Sequence, residues 1–125
     1  MGNGAPAVVL LGHGSRKGTA NTALGQIARR VADLLPSGRV EVAFLQLAEP
    51  GLGEVVERCI RGGARRVAVV PFFLLPGAHV VEDIPREVAA LRRRHPGVEI
   101  SLAPILGEHP KLAEAVADLA REVLG

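Results

Sequence analysis

Aromatic residues are scarce in this chain: it has no Trp, no Tyr and three Phe among 125 residues. Modules that stack nucleobases need exposed aromatic rings, so no nucleic-acid partner is expected. Charge of one sign is scarce as well. Fifteen Lys and Arg stand against 13 Asp and Glu, which leaves a formal net charge of +2. So small an excess suits an anionic small molecule at least as well as a polyanion. A single cysteine, Cys59, excludes an intrachain disulfide framework and any multi-thiolate zinc or iron–sulfur site. It also fits a reducing compartment. No uninterrupted apolar run reaches the length of a bilayer, and the N-terminus has no basic segment leading into an apolar one. The expectation is a cytoplasmic protein without membrane attachment.

What is present is an ordinary globular balance, with 48% hydrophobic and 22% charged residues. The length supports one domain, residues 1–125, with a core of its own. Pro and Gly divide the chain into short apolar runs and longer periodic ones. Ala7 to Leu11 and Val67 to Phe73 are unbroken apolar runs, as in central parallel strands buried on both faces. Arg39 to Leu45 and Val98 to Ala103 alternate apolar and polar residues, as edge strands do.

Helical spacing follows each run. Leu24, Ile27, Ala28, Val31 and Leu35 form one stripe, and Leu52, Val55, Val56, Cys59 and Ile60 a second. Ile84, Val88 and Leu91 form a third, with Asp83 as the expected N-cap and Pro85 in the first turn. Leu112, Val116, Leu119, Ala120 and Val123 form a fourth, starting near Pro110. Strand and helix alternate four times, which predicts an α/β fold with a parallel sheet and helices on both faces. Central strands 1 and 3 flanked by edges 2 and 4 give the order 2-1-3-4. Right-handed crossovers then put helices 1 and 4 on one face and helices 2 and 3 on the other.

In that order the chain leaves strands 1 and 3 in opposite directions, and ligands of open α/β sheets bind at such a switch point. Gly12, His13, Gly14, Ser15 and Arg16 follow strand 1; Gly77, Ala78 and His79 follow strand 3. Two imidazoles sharing one mouth suit a divalent transition metal and leave open positions for substrate. The glycines allow tight backbone, and amides near Ser15 could hold a carboxylate. Gln46, after strand 2, could direct an amide into the same crevice. His95 is expected to close helix 3, and His109, past strand 4, is a second-tier candidate. Cys59, on an apolar stripe, reads as a core residue. Phosphoryl transfer on His13 beside Arg16 is one alternative, though Gly12 precedes the histidine where a histidine phosphatase carries Arg. A serine hydrolase on Ser15 lacks the Gly-x-Ser-x-Gly elbow. A non-catalytic metal carrier would need the same two histidines.

Three segments carry a family resemblance. Leu10-Leu11-Gly12-His13-Gly14-Ser15-Arg16 resembles the opening motif of the class II tetrapyrrole chelatases. Ala43-Phe44-Leu45-Gln46-Leu47-Ala48-Glu49-Pro50 resembles their second segment. Val70-Pro71-Phe72-Phe73-Leu74-Leu75, with Gly77, His79 and Asp83-Ile84-Pro85, resembles their third. The chain is most similar to the short CbiX-type sirohydrochlorin chelatases, and the likeness runs from strand 1 to helix 4. The resemblance implies one chelatase half-unit and insertion of a divalent metal into sirohydrochlorin, as in cobalamin or related tetrapyrrole biosynthesis. Cobalt is the first choice, with nickel or iron as alternatives; the metal is a substrate and no organic cofactor is implied. His13 and His79 match the family's metal-binding histidines, which would hold the metal and assist pyrrole deprotonation. Ser15, Arg16, Gln46 and Gly77 would meet the tetrapyrrole. Gln46 departs from the Glu often found there, and an amide cannot act as a base near neutral pH. A single half-unit implies a homodimer.

Overall fold

The computed structural model describes residues 4–35, 39–45 and 48–125, with the backbone alone at 78–81. Its elements alternate: β1 (Ala7–Gly12), α1 (Gly18–Leu34), β2 (Arg39–Phe44), α2 (Leu52–Arg61), β3 (Arg66–Pro71), α3 (Ala78–Arg94), β4 (Glu99–Leu102), a 3-10 turn η1 (Leu106–Glu108) and α4 (Pro110–Leu124). The four strands form one parallel sheet in the order β2-β1-β3-β4, as the hydrophobic patterning predicts.

The period of two along each strand divides the sheet into two faces. Ala7, Val9 and Leu11 of β1, with Val67 and Val69 of β3, point to one side. There they pack against Val55, Val56 and Cys59 of α2 and Val88 and Leu91 of α3. Five of these, Val9, Leu11, Val55, Val56 and Val69, are wholly enclosed, as is Cys59 at 0% exposure. Each such aliphatic side chain contributes about 1.5–3 kcal/mol of burial. α2 shows why its sequence is helical: Leu52, Val55, Val56 and Cys59 recur on one face, Glu54 lies in the first turn and Arg58 and Arg61 in the last, where each favours the helix dipole. On the opposite side Leu10 and Phe44 meet Leu24 and Ala28 of α1.

Three expectations need correction. The apolar run Val67 to Phe73 overshoots the strand, which ends at Pro71. Phe72 still donates to the Leu11 carbonyl at 2.8 Å, but the Phe73 carbonyl accepts from Gly107 N–H, so the chain has turned out of the ladder. Helix α3 begins at Ala78, with Gly77 as N-cap and Pro85 inside it. Asp83 is therefore an interior residue and no cap, and Pro85 withholds the amide proton that an interior helical residue normally donates. Finally, α4 does not join α1 over the sheet. None of its residues is buried, it adds nothing to either core cluster, and its principal packing partner is η1.

Candidate metal and tetrapyrrole site

The site lies at the carboxyl ends of β1 and β3. Backbone bonds carry the sheet one step further there: Leu45 N–H donates to Gly12 O at 3.0 Å and Phe72 N–H to Leu11 O at 2.8 Å. The three strand exits thus leave the sheet together. Gly12 is a packing requirement. A Cβ there would lie 2.5 Å from Leu24 Cδ2 and 3.5 Å from the Phe44 ring, so a larger residue would displace the Leu24 side chain from its place against the sheet. Gly14 has φ of 97°, a backbone that favours glycine, and this turn lifts the loop beyond the end of β1.

His13 lies between these glycines and is exposed. Its ring meets Phe73 edge to face, with centroids 6.4 Å apart and planes at 83°, so an apolar wall from the β3 loop holds the imidazole. His79, taken from sequence as a loop residue, instead occupies the second position of α3. The helix begins directly after the loop that leaves β3, so the backbone of His79 belongs to the same end of the sheet as His13. Gly77 is extended, with φ of −106°, so its conformation is open to other residues. Gln46 falls outside the described residues.

Ser15 is fixed by a residue that sequence reading passed over. Asn21 Oδ1 accepts from Ser15 N–H at 3.1 Å, and Asn21 Nδ2 donates to Ser15 O at 2.8 Å. One amide side chain from the first turn of α1 therefore clamps both backbone groups of Ser15. The Ser15 hydroxyl oxygen accepts from Lys17 N–H at 3.0 Å, and its proton is left to donate. Arg16 and Lys17 are exposed beside it. The loop borders a cavity of about 250 Å3 whose floor includes Leu24, Ile27, Phe44 and Phe72. An apolar floor bordered by the His13 imidazole and Ser15, with Arg16 and Lys17 exposed next in the chain, can take a flat, largely apolar ligand with anionic edges. The signal for Asn21 was its place six residues after Ser15, within the first helical turn; nothing in a linear pattern shows that an amide turns back.

The other histidines have structural partners. His95 is the C-cap of α3, and its Nε2 lies 3.2 Å from Glu57 Oε2, tying α3 to α2. His109, the second-tier candidate, caps α4: its Nδ1 accepts from Lys111 N–H at 3.1 Å. Cys59 is buried, and that burial pushes its thiol pKa up, which suits a core residue and not a reactive one.

The CbiX family model matches residues 7–123, from the start of β1 nearly to the end of α4. The chain is 34% identical over 139 aligned positions to a sirohydrochlorin cobaltochelatase of Methanopyrus kandleri, covering 95% of this chain and 97% of that protein. It is 32% identical over 120 residues to the chloroplastic sirohydrochlorin ferrochelatase of Arabidopsis thaliana, covering 96% of this chain but 53% of that protein. The chain thus spans about half the length of some of its curated relatives and nearly all of others. Among solved structures, the CbiX protein of Marinobacter aquaeolei VT8 superposes with a TM-score of 0.83 at 32% identity, over 95% of this chain and 97% of that one. The sirohydrochlorin chelatase SirB of Bacillus subtilis subspecies spizizenii, in complex with cobalt, gives 0.82 at 31% identity, over 94% of this chain and 50% of that one. The parallel sheet, the histidine loop after its first strand and a family match over almost every element lead to one conclusion: the chain belongs to the CbiX family.

Proposed function

We propose that this protein is a sirohydrochlorin chelatase that inserts a divalent metal, cobalt first, into the macrocycle. The observation that carries the reading is that the exposed His13 follows β1 and the backbone of His79 lies in the first turn of α3, at the same end of the sheet. Cobalt is favoured because the Methanopyrus kandleri relative, matched along nearly its whole length, is a cobaltochelatase. In this reading His13 and His79 hold the metal loosely, since two imidazoles anchor it less firmly than a closed four-ligand site. Two pyrrole N–H protons leave as two metal–nitrogen bonds form, and imidazole, as a class, exchanges protons near neutral pH. Arg16 and the Ser15 hydroxyl meet the substrate's carboxylates, with Gln46 and Gly77 at the rim. One chelatase half-unit, residues 1–125, works as a homodimer in the cytoplasm, a compartment that suits the lone, unpaired Cys59.

The test is anaerobic insertion, with sirohydrochlorin and cobalt(II), nickel(II) or iron(II) followed by visible absorbance. Wild-type protein accelerates insertion, and His13→Ala and His79→Ala each lower kcat/KM by about 100-fold or more at unchanged melting temperature. Wild-type acceleration with a near-normal rate in His79→Ala overturns the two-histidine mechanism. Tight tetrapyrrole binding without acceleration by any metal makes the protein a carrier.

A further inference from the structure

His13 is exposed and lies between Gly12 and Gly14, the latter at φ of 97°. Glycine backbone is permissive, and a side chain on such a loop loses rotamer freedom when it takes a ligand. A contact that orients the ring beforehand lowers that cost. The Phe73 ring makes one. It meets the imidazole edge to face with centroids 6.4 Å apart, inside the range where aromatic pairs attract.

Phe73 is in turn held from further along the chain. β3 ends at Pro71, so Phe73 lies beyond the strand. Its carbonyl accepts from Gly107 N–H at 2.9 Å, and Gly107 is the middle residue of η1. A Cβ at Gly107 would overlap the Leu74 carbonyl. The φ of Gly107 is not in the left-handed region, so close approach, and not backbone conformation, is what requires glycine there.

The connection that carries η1 is itself tied at both ends. Ala103 N–H donates to Val69 O at 2.9 Å where β4 finishes, and His109 Nδ1 accepts from Lys111 N–H at 3.1 Å where α4 starts. The Phe73 side chain also packs against the core beneath α2 and α3. Residues 103–109 therefore brace the exit of β3 from one side while His13 meets it from the other.

We propose that Phe73 and Gly107 are positioning residues for His13. η1 fixes the β3 exit loop, the loop fixes the Phe73 ring, and the ring orients the imidazole before a metal arrives. Gly107 stands two contacts from the imidazole and acts through Phe73. The effect on metal insertion rests on the chelatase reading given above; the brace itself does not. A Phe73 that only filled space would lower stability when truncated and leave the His13 ring where it is.

The experiment uses the full chain with ring-labelled histidine, and the His13 resonance is assigned by its loss in His13→Ala. At about pH 8.5, where imidazole is neutral, the wild-type His13 resonance carries the ring-current shift of Phe73. Phe73→Leu abolishes that shift, Gly107→Ala reduces it and Phe73→Tyr keeps it, while the His95 resonance stays in place in all three. Insertion of cobalt(II) into sirohydrochlorin then separates positioning from packing. Phe73→Leu and Gly107→Ala lower kcat/KM for cobalt(II) about three- to tenfold, the factor that an aromatic pair is worth. KM for sirohydrochlorin is unchanged, and Phe73→Tyr keeps the wild-type rate. A His13 resonance indifferent to Phe73→Leu and Gly107→Ala overturns the brace. So does a loss of activity that Phe73→Tyr shares, or one carried by KM for sirohydrochlorin. Phe73→Leu decides alone where the added methyl of Gly107→Ala prevents folding. A wild type that inserts no metal, with the shifts as described, overturns the chelatase reading and leaves the brace standing.

Discussion

Asn21 carries more of the site than its position advertises. Its amide answers both the N–H and the carbonyl of Ser15, so the loop bearing His13 is anchored to the first turn of α1. Net contributions of about 0.5–1.5 kcal/mol per hydrogen bond place Asn21→Ala at about 1–2 kcal/mol of lost stability by urea titration. If the loop is positioned by this clamp, KM for the tetrapyrrole also rises severalfold. Asn21→Asp keeps the acceptor for Ser15 N–H but loses the donor to its carbonyl, and falls between. A variant with unchanged stability and KM would show that the loop is held by other contacts. At the same scale, the His-Gly alternation of Gly12, His13 and Gly14 was legible in sequence as a special turn. The reason for Gly12, the approach of Leu24 and Phe44, was not, because it depends on two side chains 12 and 32 residues away.

At the scale of elements, α3 departs furthest from its sequence signals. Asp83 and Pro85 resemble a start, yet the helix begins at Ala78, because the buried series Ile84, Val88 and Leu91 fixes the helix on the sheet and the turns before it extend the same path. Glu87 lies on the exposed side of this helix, and partial desolvation, with a further push from the Asp83 carboxylate, raises its pKa above 4.5. A carboxyl whose folded pKa is raised binds its proton better in the folded state, so ionisation costs stability. That cost is absent below the ordinary pKa of 4.5 and grows as pH rises through the raised value. Glu87→Gln is therefore expected to be more stable than wild type at pH 7 and no more stable at pH 4, as measured by urea midpoints. An equal gain at both values would mean that the carboxyl does not titrate against folding.

At the scale of the whole molecule, the proposed function gives the balance of charge a role in the encounter with substrate. The chain has a net charge of +2, with Arg16 and Lys17 exposed beside the site, and sirohydrochlorin is a polycarboxylate. Exposed charges are screened over about 10 Å at 0.1 M salt. In the proposed reaction, KM therefore rises several-fold between 0.05 and 0.5 M salt, on the order expected when steering is screened, while kcat changes little. A salt-independent KM would assign recognition to the apolar floor of Leu24, Ile27, Phe44 and Phe72.

The order of strands, the two faces of the sheet and the pairing of His13 with the β3 end were determined by sequence alone. Each follows from local periodicity, and periodicity survives in one dimension. Unbroken apolar runs mark β1 and β3 as central, and alternation marks β2 and β4 as edges. The tertiary structure alone decided where α4 goes. Its stripe of Leu112, Val116, Leu119 and Val123 says that it must be covered, but not by what. The answer lies in the Gly107–Phe73 bond, the Leu74 contact and the His109 cap, which turn the helix off its own sheet. Those contacts join residues far apart in the chain, and a pattern of hydrophobic spacing contains no information about the direction in which a linker leaves.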